Sequence, residues 1–145
     1  MKEQNSIEVS LIPASLVAMA RPEVDRMMQG VVFSAPALYS MDDMFKDLEA
    51  GKRQLWMFHE HSENFLFAMS RIVEYPQGSV CIIGPIAGRR IRAALSFRDR
   101  FELWARWQGA TLIHAEVGEK LYKILKHIGY EATGYAVYKP LMTVQ

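Results

Sequence analysis

The sequence has one cysteine in 145 residues and no long hydrophobic run. Cys81 has no partner for an internal disulfide, and its apolar neighbours predict a buried, unreactive thiol. No run approaches the roughly 20 consecutive apolar residues that a membrane-spanning helix needs. The first five residues are polar and mixed in charge, unlike a secretory signal. These absences predict a soluble, cytoplasmic protein without a membrane partner.

An excess of charge of one sign is also missing. The 17 Lys and Arg residues nearly balance the 16 Asp and Glu residues, which leaves a formal net charge of +1. An even distribution of this kind lacks the basic patch typical of nucleic-acid binding, so we expect no nucleic-acid partner. Half of the residues are hydrophobic, and the length suits one core. The composition therefore predicts a single domain over 1–145.

The N-terminal part predicts one strand and two helices. Apolar and polar residues alternate over 7–12, which is typical of a half-buried strand. The proline at the start of 22–33 suits a first helical turn and predicts a helix over that range. Ser40 and Asp43 have the spacing of a capping box, which predicts a second helix that stops at Gly51.

The middle of the chain predicts an antiparallel hairpin. Aromatic and aliphatic runs at 55–58 and 65–75 flank the polar segment 59–64. The two histidines of that segment lack the helical spacing of zinc enzymes, so we interpret it as a hairpin tip and expect no metal. An apolar run at 79–83 then predicts a central strand.

The C-terminal part predicts alternating helices and strands. A long helix is expected over 90–108, a strand over 111–116, a helix over 121–128 and a last strand over 135–138. A helix that joins two strands of one sheet makes them parallel, which applies to the unit 79–116. The predicted fold class is α/β (α+β), with a mixed central sheet and the order β-α-α-β-β-β-α-β-α-β.

This order of elements resembles the GNAT (GCN5-related N-acetyltransferase) superfamily. The most similar stretch is 121–130, where Ile128-Gly129-Tyr130 looks like the Leu-Gly-Phe-like end of the helix that precedes the family's last strands. The resemblance implies one GNAT-like domain that uses acetyl-CoA or CoA. It also implies acyl transfer to a small amine or to a protein amino group.

The resemblance further implies where an acyl-CoA would bind. In the family two parallel strands separate, and the loop after the first of them receives the diphosphate; here the strands would separate beside Cys81 to Ile86, and the loop would be 84–91. Pro85 stands where the family pattern has a polar residue, and Arg90 where it has a small one. The candidate cofactor-binding residues are Ile83, Gly84, Ala87, Gly88, Arg89 and Arg90.

The catalytic pattern of the family is incomplete in this sequence. Many members carry a general-acid tyrosine four residues before the glycine, where this chain has Leu125. Tyr122 lies one turn earlier and is the candidate acid. Glu74, His114 and Glu116 are the candidate bases, and we take Glu116 as the first choice. Whether catalysis is retained is left open by the sequence.

The incomplete pattern leaves an alternative function. Residues 125–129, the altered loop and the missing tyrosine also resemble small GNAT-like proteins of tailed bacteriophages, some of which are internal virion or accessory proteins. In that case the fold would be a non-catalytic binding or assembly module for phage structural proteins, in the host cytoplasm or the virion. The contact surface would be Trp107, which falls off the apolar stripe of its helix, or the arginine-rich face of that helix, with Arg92, Arg98, Arg100 and Arg106. A homo-oligomer formed through the last strands fits either interpretation.

Overall fold

The computed structural model describes residues 6–31, 38–115, 117–134 and 137–142. In these residues the strands are β1 (Glu8–Ile12), β2 (Gln54–Glu60), β3 (Glu63–Tyr75), β4 (Gly78–Gly88) and β5 (Ala110–Ala115). The α-helices are α1 (Val17–Met28), α2 (Met41–Glu49), α3 (Arg98–Trp107) and α4 (Glu119–Leu125), with 3-10 helices at Ala14–Leu16, Ile91–Phe97 and Lys126–Ile128. The strands form one sheet in the order β1-β2-β3-β4-β5, antiparallel except for the parallel pair β4–β5. The predicted mixed α/β class is confirmed.

Helices α1 and α2 cover one face of the sheet. α1 begins five residues before Pro22 and ends at Met28, so the predicted range 22–33 was wrong at both ends. Val17 and Val24 are seven residues apart, which places them on one side of the helix, and both are buried. A buried core is formed with α2 and the sheet by Val17, Val24, Phe45, Leu48, Leu55, Met57, Phe67, Met69 and Ala87.

The capping box predicted for α2 is present. The Asp43 amide donates to the Ser40 hydroxyl at 3.0 Å, and the Ser40 amide donates to the Asp43 carboxylate at 2.9 Å. These bonds use backbone donors that the first helical turn leaves free. The local sequence alone therefore fixes the start of α2.

The predicted hairpin tip is confirmed, but the turn is shorter than expected. Strands β2 and β3 extend to Glu60 and Glu63, and only His61 and Ser62 lie between them, with φ of 51° and 66°. Positive φ at both central residues is the geometry of a two-residue hairpin turn. His59 is within 2.9 Å of the Ser10 hydroxyl on the neighbouring strand β1.

The opposite face of the sheet is covered by the segment that was predicted as one long helix over 90–108. This segment is a 3-10 helix at Ile91–Phe97 followed by α3, so a single α-helix was the wrong prediction. The Ser96 hydroxyl donates to the Ala93 carbonyl at 2.7 Å, which is a local bond that competes with regular α-helical pairing. Trp56 packs against this layer, with ring centroids 4.9 to 5.6 Å from those of Phe97, Phe101 and Trp104.

The C-terminal part is less deeply packed. The last helical segment ends with the Tyr130 amide donating to the Leu125 carbonyl and that of Gly129 to the Lys126 carbonyl, which is a Schellman motif. None of the residues of α4 is buried. The predicted last strand, 135–138, is not formed at its described residues Val137 and Tyr138, and the other two lie outside the described residues. Within the described residues, no helix is long and apolar enough to cross a bilayer.

Candidate functional site

The candidate site lies where β4 extends beyond its pairing with β5. The two strands pair from Ser79 with Ala110 to Ile83 with Ala115. The strands therefore stop pairing after Ile83, within the range Cys81 to Ile86 where the separation was predicted. Beyond that point β4 continues to Gly88 and pairs only with β3. Within the described part of the chain, residues 84–88 thus have one open side.

A β-bulge marks the start of this open segment. Ala68 pairs with Ile86 and Ser70 pairs with Ile83, so Gly84 and Pro85 both stand opposite the single residue Met69. The predicted loop over 84–91 was therefore too long, because its first five residues are strand. Beyond the bulge, residues 86–88 pair with β3, and the sequence pattern does not reveal this pairing.

The register identifies the backbone groups that face the open side. The Arg89 amide donates to the Phe65 carbonyl at 2.7 Å, so these opposed residues are hydrogen-bonded. In an antiparallel ladder such pairs alternate with pairs whose amides and carbonyls point the other way. Ala87 is therefore bonded to Phe67, while Ile86 and Gly88 direct their amides and carbonyls toward the open side. Ile86 was missed by the sequence analysis, and only knowledge of the register could have found it.

The two candidate glycines, Gly84 and Gly88, differ in the space that a side chain would have at each position. A Cβ on Gly88 would lie 2.3 Å from the Phe65 carbonyl oxygen, because the backbones of β3 and β4 approach closely there. A Cβ on Gly84 would meet nothing within 4 Å. The φ of Gly84 is +147°, so a side chain there would strain the backbone without a steric clash. Gly88 is thus required by packing, whereas the space beside Gly84 is open. The side chain of Ala87 is buried in the core beneath α1 and α2.

The candidate arginines are paired with carboxylates on the β2–β3 hairpin. Arg89 forms an exposed salt bridge with Glu63, and Arg90 forms one with Glu60 at 3.1 Å. The Arg90 guanidinium also lies 4.8 Å from the centroid of the Phe65 ring. A cleft of about 220 Å³ adjoins this end of β4, lined by Arg26, Met27, Asn64, Phe65, Gly88 and Arg89.

The residues proposed for catalysis are not brought together by hydrogen bonds. Glu116 lies outside the described residues. Tyr122 is half-buried on α4, and none of the described residues hydrogen-bonds to its hydroxyl. Glu74 and His114 are exposed on β3 and β5. Burial raises the pKa of the Cys81 thiol to about 11, which makes it a poor nucleophile, and Cys81 is fully buried as expected.

A buried arginine beside the bulge was also missed by the sequence analysis. Only 6% of Arg53 is exposed, and its Nη1 donates to the Gly84 carbonyl at 3.3 Å. The Tyr39 ring lies near both Arg53 and Arg71, with centroid distances of 5.3 and 5.9 Å to the two guanidinium carbons. In the sequence, Gly51-Lys52-Arg53 is an ordinary polar turn, so nothing there signals burial.

No protein-family model matches the sequence, and no curated protein matches it. Solved structures do match over nearly the whole chain. An aminoglycoside acetyltransferase from an uncultured soil metagenomic sample, in complex with sisomicin, superposes with a TM-score of 0.73 at 9% identity, covering 97% of this chain and 98% of that chain. A GCN5-related N-acetyltransferase from Ralstonia eutropha JMP134 gives a TM-score of 0.70 at 14% identity, covering 93% and 98%.

A third structure, a predicted acetyltransferase with acetyl-CoA from Clostridium acetobutylicum, gives a TM-score of 0.64 at 12% identity, covering 92% of this chain and 96% of that chain. At these identities the likeness establishes the fold. The chain has the fold of the GNAT acetyltransferases, as the sequence predicted.

Proposed function

We propose that this chain, folded as a GNAT domain, binds an acyl-CoA along the open side of β4 and transfers the acyl group to an amine. The acceptor is a small molecule or a protein amino group. The observation that carries the proposal is the five-residue extension of β4 past its pairing with β5. This extension leaves the amides and carbonyls of Ile86 and Gly88 without a strand partner among the described residues.

The open side fits the amide-containing arm of CoA. Outward amides and carbonyls of a strand can pair with an extended ligand as they would with another strand. The side chains of Ile83, Ile86 and Ile91 are partly buried on the α3 side of the sheet and give the site an apolar wall. An arm with amide groups and methylene segments needs both kinds of surface.

The diphosphate of CoA would lie near the residues that follow β4, where fewer backbone amides are available to bind it. The Arg89 amide already donates to Phe65, so it cannot also bind a phosphate. The amides of Ile91 and Arg92 begin the 3-10 helix and have no intrahelical partner. Arg89 and Arg90 can turn from Glu63 and Glu60 to a phosphate at low cost, because exposed salt bridges contribute only about 0 to 1 kcal/mol.

The chemistry needs a base, an acid and a positioned amine. Bound acetyl-CoA would supply an activated thioester. The chain would remove a proton from the amine, for which Glu116 is our candidate, and donate one to the departing sulfur, for which Tyr122 is our candidate. Since α4 buries none of its residues, Tyr122 is weakly positioned. Loss of a positioned acid typically lowers the rate about 10²- to 10⁴-fold, so we expect slow turnover.

A second candidate function is a non-catalytic binding or assembly module. The observation that favours it is the exposure of large apolar side chains on α3 and β5, with Trp107 77%, Leu112 60% and Leu103 48% exposed. Exposed large apolar side chains are typical of protein contact surfaces. Phage structural proteins are the partners that this alternative names, and a fixed stoichiometry in purified virions would support it.

Thermal denaturation with acetyl-CoA separates the two candidates. A ligand that binds only the folded chain stabilises it by about 2.7 kcal/mol at 100 times its Kd. We expect acetyl-CoA to raise the Tm and a panel of amines to release free CoA thiol in its presence. No rise in Tm at millimolar acetyl-CoA would contradict the acyl-CoA site, and a rise without product would favour the non-catalytic module.

A further inference from the structure

Arg53, the residue directly before β2, lies opposite Arg71 of β3. The β2–β3 register pairs Gln54 with Ser70, and extending it by one residue places Arg53 opposite Arg71. Both side chains point to the face covered by α1 and α2, because Arg53 and Arg71 each lie two residues from a member of that core, Leu55 and Met69 respectively. Like charges directly opposite each other destabilise a sheet. Their presence here therefore calls for a compensating negative charge.

Among the described residues, little negative charge lies close to this pair. Arg53 is buried, and its closest carboxylate oxygen, on Asp47, is 4.0 Å from Nη2. The Nε of Arg53 is buried and has no hydrogen-bond partner among the described residues. Burial, followed by the charge of Arg71, lowers the pKa of Arg53. A buried cation without a close anion is costly to the folded state.

Arg71 has still less compensation. It is half-buried, and no described residue forms a hydrogen bond or salt bridge with its guanidinium. Its guanidinium lies near the Tyr39 ring, which is also near Arg53. The undescribed residues next to Tyr39, 32–37, include no Asp or Glu. Among the described residues, Asp47, at 4.0 Å from Arg53, is the only carboxylate that forms a salt bridge with either arginine.

The pair lies beside the point where β4 and β5 stop pairing. Arg53 Nη1 bonds to the carbonyl of Gly84, the first residue beyond the last β4–β5 pair. In the next positions across the sheet, Arg71 is paired with Ile82, and Ile82 with the exposed His114. This side of β4 and β5 is only partly covered, since Ile82 is half-buried and Leu112 is 60% exposed. A ligand can therefore approach Arg71 from the side of β5.

We propose that Arg53 and Arg71 bind an oxyanion, a carboxylate or a phosphate, on the acceptor molecule, so that the acceptor is an amine that also carries a negative charge. This assignment of the acceptor class rests on the proposed acyl transfer, whereas the anion site itself does not. Arg71 contacts the anion with its planar set of donors. Arg53 supplies buried positive charge and holds the bulge at Gly84, next to the open side of β4.

The first experiment measures anion binding without acetyl-CoA. The full chain is titrated with sodium phosphate and with sodium acetate, at ionic strength held constant with sodium chloride, and the Tm is recorded. We expect saturable stabilisation by at least one of the two anions, which also tells phosphate from carboxylate. Arg71→Met should weaken this binding roughly 10- to 100-fold, as expected for loss of charge-assisted hydrogen bonds.

Two further variants control the result. Arg106→Met removes the same charge from the exposed face of α3 and should leave anion binding unchanged. Arg71→Lys keeps the positive charge but lacks the planar set of guanidinium donors, so it should weaken binding less than Arg71→Met. Absence of saturable binding, or unchanged binding in a folded Arg71→Met variant, would overturn the anion site.

The second experiment tests the acceptor class. With acetyl-CoA present, rates are compared for glycine against glycinamide and for phosphoethanolamine against ethanolamine. We expect the charged member of at least one pair to have a kcat/KM roughly 10- to 100-fold higher, with the preference reduced toward unity in Arg71→Met. Equal rates within both pairs would overturn the assignment of the acceptor. If acetyl-CoA does not bind, the acyltransferase proposal fails, while the first experiment still decides the anion site.

Discussion

The centre of the sheet and its β5 edge are packed very differently. The central strands β2 and β3 lie between two layers of helix and bury seven aromatic or aliphatic residues that are at most 3% exposed, Leu55, Met57, Phe58, Phe65, Leu66, Phe67 and Met69. At the edge, β5 has an exposed Leu112, and α4 buries none of its residues. The candidate site lies between these regions. Its backbone groups belong to β4, which pairs with the closely packed β3, whereas its candidate acid belongs to the loosely packed α4.

This difference separates binding from catalysis. The groups expected to bind an acyl-CoA are fixed by the β3–β4 register and do not depend on α4. Tyr122 can act only if α4 holds it near the open side of β4. A chain built in this way can keep ligand binding while its chemistry is weak.

The largest expected effect is the difference in stability loss between a variant on the central strand β3 and one on α4. Phe67 is fully buried on β3, so Phe67→Ala should destabilise the protein by about 3 to 5 kcal/mol. Leu125→Ala, at a half-buried position on α4, should cost less than about 1 kcal/mol. Urea unfolding followed by circular dichroism measures both. Equal losses of unfolding free energy would show that β3 and α4 are packed equally well.

The next effect compares the two glycines of β4. Gly88→Ala places a Cβ against the Phe65 carbonyl at a positive φ and should cost roughly 2 to 4 kcal/mol. Gly84→Ala has a similar φ but open space, so only the backbone strain, about 1 to 2 kcal/mol, remains. Thermal unfolding of the two variants should rank them in this order. The reverse order would contradict the close approach of β3 and β4.

A smaller effect concerns the loop after β4. The double variant Arg89→Gln, Arg90→Gln should lower acetyl-CoA affinity about tenfold, because it removes two cations near the expected diphosphate. Arg106→Gln, on α3, should change affinity by less than about twofold. Isothermal titration calorimetry at two salt concentrations checks both values. An unchanged affinity in the double variant would place the diphosphate elsewhere.

The smallest effect is the pH dependence of the α2 cap. The Ser40 amide and hydroxyl hold the pKa of Asp43 below its usual value of 3.8. This stabilisation is present above pH 3.8 and is lost as pH falls through the lowered pKa. Unfolding measured between pH 2 and pH 5 should show a shallower loss in Asp43→Asn than in the wild type. Identical slopes would mean that the capping box contributes nothing to the acid sensitivity.

Local signals in the sequence predicted the parts that local physics determines. The Ser40–Asp43 box, the hairpin tip and the Gly129 helix end depend on neighbouring residues, and all three are present. The start of α1 was wrong because the burial of Val17 outweighed the usual position of Pro22.

The site depended on contacts between distant segments. The outward amide of Ile86 follows from the β3–β4 register and its bulge, and the burial of Arg53 follows from its packing beside Gly84. Neither feature has a pattern in the sequence around it. The resemblance in element order predicted the correct fold, yet it directed attention to Ala87, whose side chain lies in the core.

Amide hydrogen exchange along β4 tests the central claim most directly. In the free protein the Ile86 and Gly88 amides should exchange much faster than that of Ala87, which is bonded to β3. Saturating acetyl-CoA should then slow exchange at Ile86 and Gly88 while leaving Ala87 unchanged. If both amides exchange at the same rate with and without acetyl-CoA, the open side of β4 is not the acyl-CoA site.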